Sequence, residues 1–248
     1  MESGILIIAF VALTFLFGGF VKGGIGVGLP TVSMGLLSLL MTPAQAASLL
    51  IVPTLATNIW QAAAGSQMLA LVRRLWSMLL GICVGTWAGA GLLTSGDTTY
   101  PITLLGIVLV LYAIVGLTAV PFTVPARVEP WLSPLIGAVT GAVSAATGVF
   151  MFPAVPYMQA LALDKDDLVQ AIGLSVLVST VALAAILWRA GAFQASVAGA
   201  SLAAMIPALL GMLIGQAVRT RISEKAFRIC FFVGLLLLGT HLALRAVL

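Results

Sequence analysis

The stretch GGFVKGGIGVGLP, residues 18–30, places six glycines, a proline and a single lysine inside an apolar run of membrane length. Glycine and proline are poor helix formers, so we predict that the helix breaks across this stretch. Lipid offers no hydrogen-bond partners to a broken backbone, and a lone ammonium is costly in hydrocarbon. We therefore expect the break to line a cavity in the protein, where it is a candidate binding site.

The composition of the chain indicates that lipid rather than water surrounds most of it. Charged residues make up 7% of the 248 residues and hydrophobic residues 62%, whereas an ordinary soluble domain carries about 25% charged residues. We predict an all-α polytopic membrane protein in contact with the lipid bilayer. No soluble part is left over for catalysis, so we do not expect an enzyme. The net charge of +4 indicates cytoplasmic loops rather than a nucleic-acid partner.

Cutting the chain at charges, glycines and prolines divides it into apolar segments. If all of them cross the membrane, nine of the eleven basic residues share one side, and only Arg189 and Arg245 lie on the other. In the alternative model, residues 4–41 and 132–163 each cross once as long helices, which splits the basic residues. The positive-inside rule favours the first model. It leaves open whether the short segments cross fully or turn back as re-entrant hairpins. The ten segments lie near 4–21, 25–41, 44–63, 75–94, 101–120, 132–148, 150–163, 168–188, 196–216 and 226–246.

Glycine spacing indicates an internal repeat. Gly19 matches Gly141 at a shift of 122 residues, and Gly85 matches Gly211 at a shift of 126. Five segments per repeat is an odd number, so the two halves, residues 1–125 and 126–248, are expected to be inverted relative to each other. The alternative is chance recurrence in a glycine-rich chain. Glycines four residues apart, as in 81–89, are expected to serve close helix packing.

The first break has the chemistry of an anion site. Glycines free backbone amides, a new helix begins near its end with a positive dipole, and the lysine adds a full charge. The alternative is that the glycines only permit tight packing and that the lysine snorkels to cytoplasmic headgroups. The candidate binding residues here are Lys22, Gly23, Gly24, Gly26, Gly28 and Pro30.

The repeat partner of this break, residues 141–153, offers hydroxyls and amides in place of the charge. Ser144 stands where the first half has Lys22. An ordinary proline-terminated helix end is the alternative interpretation. The candidate residues in this second half are Ser144, Thr147, Gly148, Pro153, Tyr157 and Gln159.

Two further groups of polar residues lie within apolar segments. Asn58 and Gln61 are three apart, with Trp60 between them, and their amides are costly in lipid without partners. They are predicted either to bind substrate or to bond one helix to another. Gln170, which follows an acidic loop, is a weaker candidate.

The placement of the acidic residues argues against cation transport. All of them fall at segment ends or in loops, so no carboxylate is left within a span to bind a cation or relay protons. We predict no metal site and no cofactor, and we assign Cys83 and Cys230 to the core and His241 to an interface. The remaining amides, hydroxyls and one ammonium suit a small anionic substrate. The seven acidic residues are Glu2, Asp97, Glu129, Asp164, Asp166, Asp167 and Glu224.

Over nearly its full length the chain resembles the sulfite exporter TauE/SafE family, also called the toluene-sulfonate uptake permease family. The resemblance lies in G-F-V-K-G-x-x-G-x-G-L-P at 19–30, T-N-x-W-Q at 57–61, T-G-V-x-x-x-P-x-x-P-Y-x-Q at 147–159 and D-L-V-Q-A at 167–171. It implies a bacterial inner-membrane carrier for sulfite, sulfoacetate or other sulfonates, with a site built between the repeats.

The resulting hypothesis is an anion transporter that works by alternating access, in the direction of export. Lys22 and the amides after Gly24 would hold the anion, and Asn58, Gln61 and Thr147 with the amide of Gly148 would complete its shell. A membrane potential that is negative inside favours export of each negative charge by about 2.3 kcal/mol per 100 mV. A passive anion channel and a membrane subunit without transport of its own are the alternatives, and a homodimer is left open.

Overall fold

The computed structural model describes residues 2–94, 98–118, 123–219, 221 and 223–245. In these ranges the chain forms ten α-helices and no strand, which confirms the predicted all-α fold. The helices are α1 (Glu2–Ile25), α2 (Leu29–Leu37), α3 (Pro43–Ala63), α4 (Met68–Ala88), α5 (Thr99–Thr118), α6 (Glu129–Thr147), α7 (Ala154–Gln159), α8 (Lys165–Arg189), α9 (Ala195–Arg219) and α10 (Glu224–Arg245).

Seven of the described helices are long and apolar enough to cross a membrane, namely α1, α3, α4, α5, α8, α9 and α10. Large apolar side chains on their outer faces are open to the surroundings, among them Leu6, Ile8 and Leu237. So extensive an apolar surface suits lipid rather than water. The chain is therefore a multi-pass membrane protein. The 19-residue α6 is less apolar and lies along α4.

The first break is shorter than predicted. Helix α1 continues through four of the six glycines, and only residues 26–28 leave the helix. Packing explains the difference, because a Cβ atom on Gly19 or Gly23 would collide with the backbone of α9. Close contact with α9 thus outweighs the weak helix propensity of glycine. Gly26 and Gly28 form the actual break, with φ angles of 80° and 112° that favour glycine.

The second break covers residues 148–153 between α6 and α7. It begins at Gly148, whose φ is 69°, and contains a cis peptide bond between Phe152 and Pro153. A Cβ atom on Gly148 would come within 2.8 Å of Sδ of Met34. The second break therefore lies directly against α2, the helix that follows the first break.

One end of the bundle collects most of the basic residues, and we call it the basic end. Gln170 near the start of α8 donates to the carbonyl oxygen of Gly65 between α3 and α4, and Arg74 near the start of α4 binds Glu129 at the start of α6. The basic residues at or near this end are the nine that the ten-segment topology groups on one side: Lys22, Arg73, Arg74, Arg127, Lys165, Arg219, Arg221, Lys225 and Arg228.

The opposite end holds Arg189 and Arg245. Arg245 donates to the carbonyl oxygen of Leu39, and Ser48 of α3 donates to that of Ala192 between α8 and α9. The chain thus passes from the end of α1 at the basic end to Leu39 at the opposite end. With nine residues α2 is only about 14 Å long, so the break and α2 make this passage together. The second break and the six-residue α7 lead back in the same way.

The main contacts between helices have counterparts when each helix is replaced by the equivalent helix of the other half. Helix α1 packs on α9 as α6 packs on α4. Gly19 faces the backbone of Ala208, and Gly141, 122 residues after Gly19, faces that of Ile82, 126 residues before Ala208. The corresponding pairs α3 with α8 and α5 with α10 pack antiparallel. This arrangement agrees with the repeat shifts found in the sequence, while the inversion of the halves across the membrane stays a prediction.

The two short helices lie in the interior, with the spans around them. Eight of the nine residues of α2 and five of the six of α7 are buried. The two short helices are therefore enclosed by protein, whereas Gly26 and Val27 of the first break are partly exposed near the basic end. The assignment of Cys230 to the core is wrong, because its face of α10 is exposed, and Cys83 is only partly buried.

Candidate functional site

Lys22 lies near the end of α1, and its side chain points into the bundle. The residue is 5% exposed, and Nζ donates a hydrogen bond of 2.8 Å to Oδ1 of Asn58 on α3. Lys22 therefore does not snorkel to the surface, which was the alternative interpretation. The structure brings together two residues that the sequence analysis placed in one binding shell.

The amide of Asn58 is oriented by its own helix. Its Nδ2 donates to the carbonyl oxygen of Thr54, one turn earlier, at 2.8 Å. This bond leaves Oδ1 to face the ammonium of Lys22, and Asn58 is 1% exposed. The lysine is thus held by a neutral acceptor, which stabilises its position without cancelling its charge.

Lys22 makes no ion pair with any side chain that the structure describes. By contrast, Arg74 forms an ion pair with Glu129, with Nε and Oε1 2.8 Å apart. A charge in a protein interior is costly unless an opposite charge or several hydrogen bonds accompany it. An anion beside Nζ would supply that missing charge.

Buried hydroxyl groups without partners add hydrogen-bonding capacity near this pair. Thr54 lies one turn before Asn58 on α3, and its Oγ1 is without a partner in the structure. Ser33 on α2 faces Gly18, one turn before Lys22 on α1, and its Oγ is likewise unpartnered. A buried hydroxyl normally finds a partner, so these atoms favour a polar ligand between α1, α2 and α3.

The sequence analysis missed the hydroxyls of this region. The signal that would have found Thr54 is its spacing of four residues from Asn58, and for Ser33 its place on the helix after the first break. The buried hydroxyl atoms without a hydrogen-bond partner in the described part of the chain are Oγ1 of Thr31 and Thr54 and Oγ of Ser33, Ser38 and Ser175.

The N-terminus of α2 lies inside the bundle and carries no side-chain cap. Gly28 precedes the helix, and Pro30 occupies one of its first two positions. The first amides of a helix lack partners within the helix and form the positive end of its dipole. Gly28 and Pro30 begin α2, but proline has no N–H and the amide of Gly26 donates to the carbonyl oxygen of Lys22. The part of this motif in anion binding stays a prediction.

Two of the predicted glycines serve packing instead. A Cβ atom on Gly23 would collide with the backbone of Met212 on α9, and one on Gly24 would lie 2.5 Å from the ring of Phe227 on α10. Both residues are still within α1, so their amides belong to the helix. Gly23 and Gly24 therefore set the approach of α9 and α10 behind Lys22.

The hydroxyls of the second break are engaged by its own backbone. Ser144 donates to the carbonyl oxygens of Thr140 and Val149, and Thr147 donates to that of Val143. They hold the end of α6 and the start of the break in shape. The amide of Gly148 is engaged as well, because it donates to the carbonyl oxygen of Ser144, so the part of this half in the site stays a prediction.

The remaining candidates of the second half lie apart from Lys22. Tyr157 shares a hydrogen bond of 2.6 Å with Ser133 of α6, and Gln159 is exposed. Gln170 donates to the carbonyl oxygens of Ala62 and Gly65, so its amide braces the turn after α3. Tyr157 and Gln170 therefore support the framework near the basic end.

The three polar residues of the T-N-x-W-Q motif have different surroundings. Asn58 binds Lys22, whereas Gln61 donates to the carbonyl oxygen of Val169 at 2.8 Å and ties α3 to α8. Trp60 is 75% exposed on the outer face of α3. The structure therefore keeps Asn58 in the candidate site and places Gln61 and Trp60 outside it.

Interrupted helices within a bundle of spans, with a buried lysine beside them, are typical of membrane transport proteins. A family model described as "Sulfite exporter TauE/SafE" matches residues 11–242. The chain belongs to this family of membrane transporters. Comparison with curated proteins and comparison with solved structures each return no match.

Proposed function

We propose that the protein is a secondary transporter that exports sulfur-containing or organic anions, such as sulfite, sulfoacetate or other sulfonates. The membrane is a bacterial inner membrane, and the mechanism is alternating access. The observation that carries this proposal is the buried ammonium of Lys22, bonded to the neutral Asn58 and without a carboxylate partner among the described side chains.

The chemistry of the site favours an oxyanion. The anion would lie between α1, α2 and α3, where the ammonium of Lys22 and the hydroxyls of Thr54 and Ser33 are potential donors. Sulfite and sulfonates present several oxygen acceptors around one centre, which suits donors arriving from different helices. Hydrogen bonds to a charged group are the strong ones, with a net contribution of about 1.5–3 kcal/mol each.

The packing of the helices supports alternating access. Glycine contacts join α1 closely to α9 and α4 closely to α6, so each pair is suited to move as a unit. One helix of each pair comes from each half of the chain. Rocking one pair against the other would open the site to either end of the bundle in turn.

The charge distribution supports export. Nine basic residues lie at or near one end of the bundle, and the positive-inside rule assigns that end to the cytoplasm. Lys22 is closer to this end, where it would meet anions from the cell interior. The membrane potential then drives the negative charge outward.

Counterflow in liposomes tests this function. Purified protein is reconstituted, the liposomes are loaded with unlabelled sulfite or sulfoacetate, and entry of the same radiolabelled anion is followed. We expect saturable uptake that depends on the internal anion. Anion currents that do not saturate, without counterflow, would show a channel instead. The absence of flux for both sulfite and sulfoacetate would favour a non-transporting subunit.

A further inference from the structure

A long apolar groove lies on the outside of the bundle between α1, α2 and α10. It encloses about 380 Å³, and its walls include Phe20, Val32 and Phe231. Along α10 it extends from Ala226 to Leu238, which is about 18 Å of helix. One leaflet of a bilayer has a hydrocarbon depth of about 15 Å, half of the membrane core. The groove thus matches an acyl chain in length.

A glycine keeps the middle of the groove open. Gly234 of α10 lines it, and a Cβ atom on Gly234 would meet no atom within 4 Å. Gly234 differs from Gly19 and Gly23, where the backbone of α9 fills the space that a side chain would occupy. The space beside Gly234 is therefore available to a ligand from the membrane.

Positive charge surrounds the basic end of the groove. Lys225 and Arg228 are exposed there and adjoin the lining residues Ala226 and Phe227 in the chain, and Arg221 is exposed shortly before α10. Residues 219–228 contain four basic residues and one acidic residue. Such a cluster beside an apolar groove is complementary to a lipid with an anionic headgroup, since basic residues near a membrane surface attract anionic lipids.

We propose that this groove binds an anionic phospholipid, with one acyl chain along α10 and the phosphate held by Arg221, Lys225 and Arg228. The chain would lie against the outer side of the first break. Phe227 packs at Gly24, and a Cβ atom on Gly28 would lie 3.3 Å from the ring of Phe231. The bound lipid braces the break from behind, a role beyond the proposed transport and independent of its substrate.

Native mass spectrometry tests this proposal on the full-length protein. Phosphatidylglycerol and phosphatidylcholine with identical acyl chains are titrated onto the wild type, the triple variant R221Q/K225Q/R228Q, Gly234→Phe and Gly199→Phe. Gly199 of α9 is the matched control, because it is also exposed and a Cβ atom there also meets nothing within 4 Å.

We expect the wild type to retain one phosphatidylglycerol and to prefer it over phosphatidylcholine. The triple variant should lose this preference, because each basic residue contributes about a fivefold gain in affinity for an anionic lipid. Gly234→Phe should weaken binding of both lipids, while Gly199→Phe binds them as the wild type does.

Three results would overturn the proposal. Equal retention of the two lipids by the wild type would mean an unselective lipid contact. Unchanged phosphatidylglycerol binding by Gly234→Phe would place the lipid elsewhere. A wild-type dimer that binds no lipid and that Gly234→Phe turns into a monomer would make the groove an interface between copies. The triple variant leaves the groove intact, so it decides the headgroup assignment even where Gly234→Phe fails to fold.

Discussion

Lys22 and Asn58 form a pair in which the charge is held but not cancelled. A neutral amide oxygen at 2.8 Å fixes the position of the ammonium and leaves its charge available to a ligand. A carboxylate in place of the amide would hold the lysine equally well, but it would neutralise the charge that an anion needs. In the proposed site, Asn58 would stabilise Lys22 and still allow it to bind an anion.

Two substitutions of Asn58 should have different consequences. Asn58→Leu removes the acceptor of a buried ammonium and should lower the free energy of unfolding by roughly 1–3 kcal/mol, with loss of anion binding. Asn58→Asp should lose anion binding as well, because it neutralises Lys22, but with a smaller loss of stability. Thermal unfolding in detergent with and without sulfite or sulfoacetate measures both effects. Anion stabilisation retained in Asn58→Asp would contradict this role of the pair.

Much of this pair was predictable from the sequence, because a lysine and an asparagine in uncharged spans must each find a partner. Gln61 takes one of its two predicted roles, a hydrogen bond between helices, but the sequence did not show that it would differ in this from Asn58. The two side chains meet different neighbours, since Gln61 reaches the carbonyl oxygen of Val169 on α8. Trp60 points outward from the same turn. Only the packing of α3 among its neighbours decides which side chain faces the site.

Similar glycine contacts join α1 to α9 and α6 to α4. Gly19 on α1 and Gly141 on α6 each lie against the backbone of the neighbouring helix. In an exposed helix, alanine in place of glycine stabilises by about 1 kcal/mol, because glycine loses more backbone freedom on folding. At these two positions the added methyl group would collide with backbone that has no room to move.

Gly19→Ala and Gly141→Ala should therefore be destabilising to a similar degree, by about 1–3 kcal/mol from overpacking. Gly199→Ala on the open face of α9 is the control and should be neutral or slightly stabilising. Apparent melting temperatures of the purified variants in one detergent provide the comparison. A normal melting temperature for either of the first two variants would contradict the close packing inferred for its helix pair.

The same contacts explain why the sequence overestimated the first break. Local propensity predicts that six glycines within thirteen residues interrupt a helix, yet α1 continues as far as Ile25. The energy of packing on α9 depends on residues such as Ala208 and Met212, almost two hundred positions away. The sequence did predict a break that includes Gly26 and Gly28, and both residues have the positive φ that favours glycine.

Among the described residues, the main helix contacts match between the two halves, but the charge does not. Ser144 occupies the place of Lys22 in the second half. The proposed site therefore has its charge in the first half. The unequal distribution of basic residues between the two ends gives the bundle one orientation in the membrane.

Cysteine labelling in intact cells tests that orientation. After replacement of Cys83 and Cys230 by serine, Ser66→Cys lies in the exposed turn at the basic end and Gln194→Cys in the exposed loop at the opposite end. A membrane-impermeant maleimide should label Gln194→Cys from outside, and Ser66→Cys only after the membrane is opened. The reverse pattern would place the basic end outside and contradict the proposed direction of approach to Lys22.

The most direct measurement of the central claim is counterflow of radiolabelled sulfite and sulfoacetate by Lys22→Met in liposomes, beside Arg73→Met. Arg73 is exposed near the start of α4, so its substitution controls for the loss of one positive charge near the same end. We predict that Lys22→Met lowers the initial rate at least tenfold, as expected for loss of about 1.5 kcal/mol or more of charged hydrogen bonding, and that Arg73→Met leaves it near the wild-type value. Wild-type counterflow by correctly folded Lys22→Met would show that the buried ammonium does not hold the transported anion.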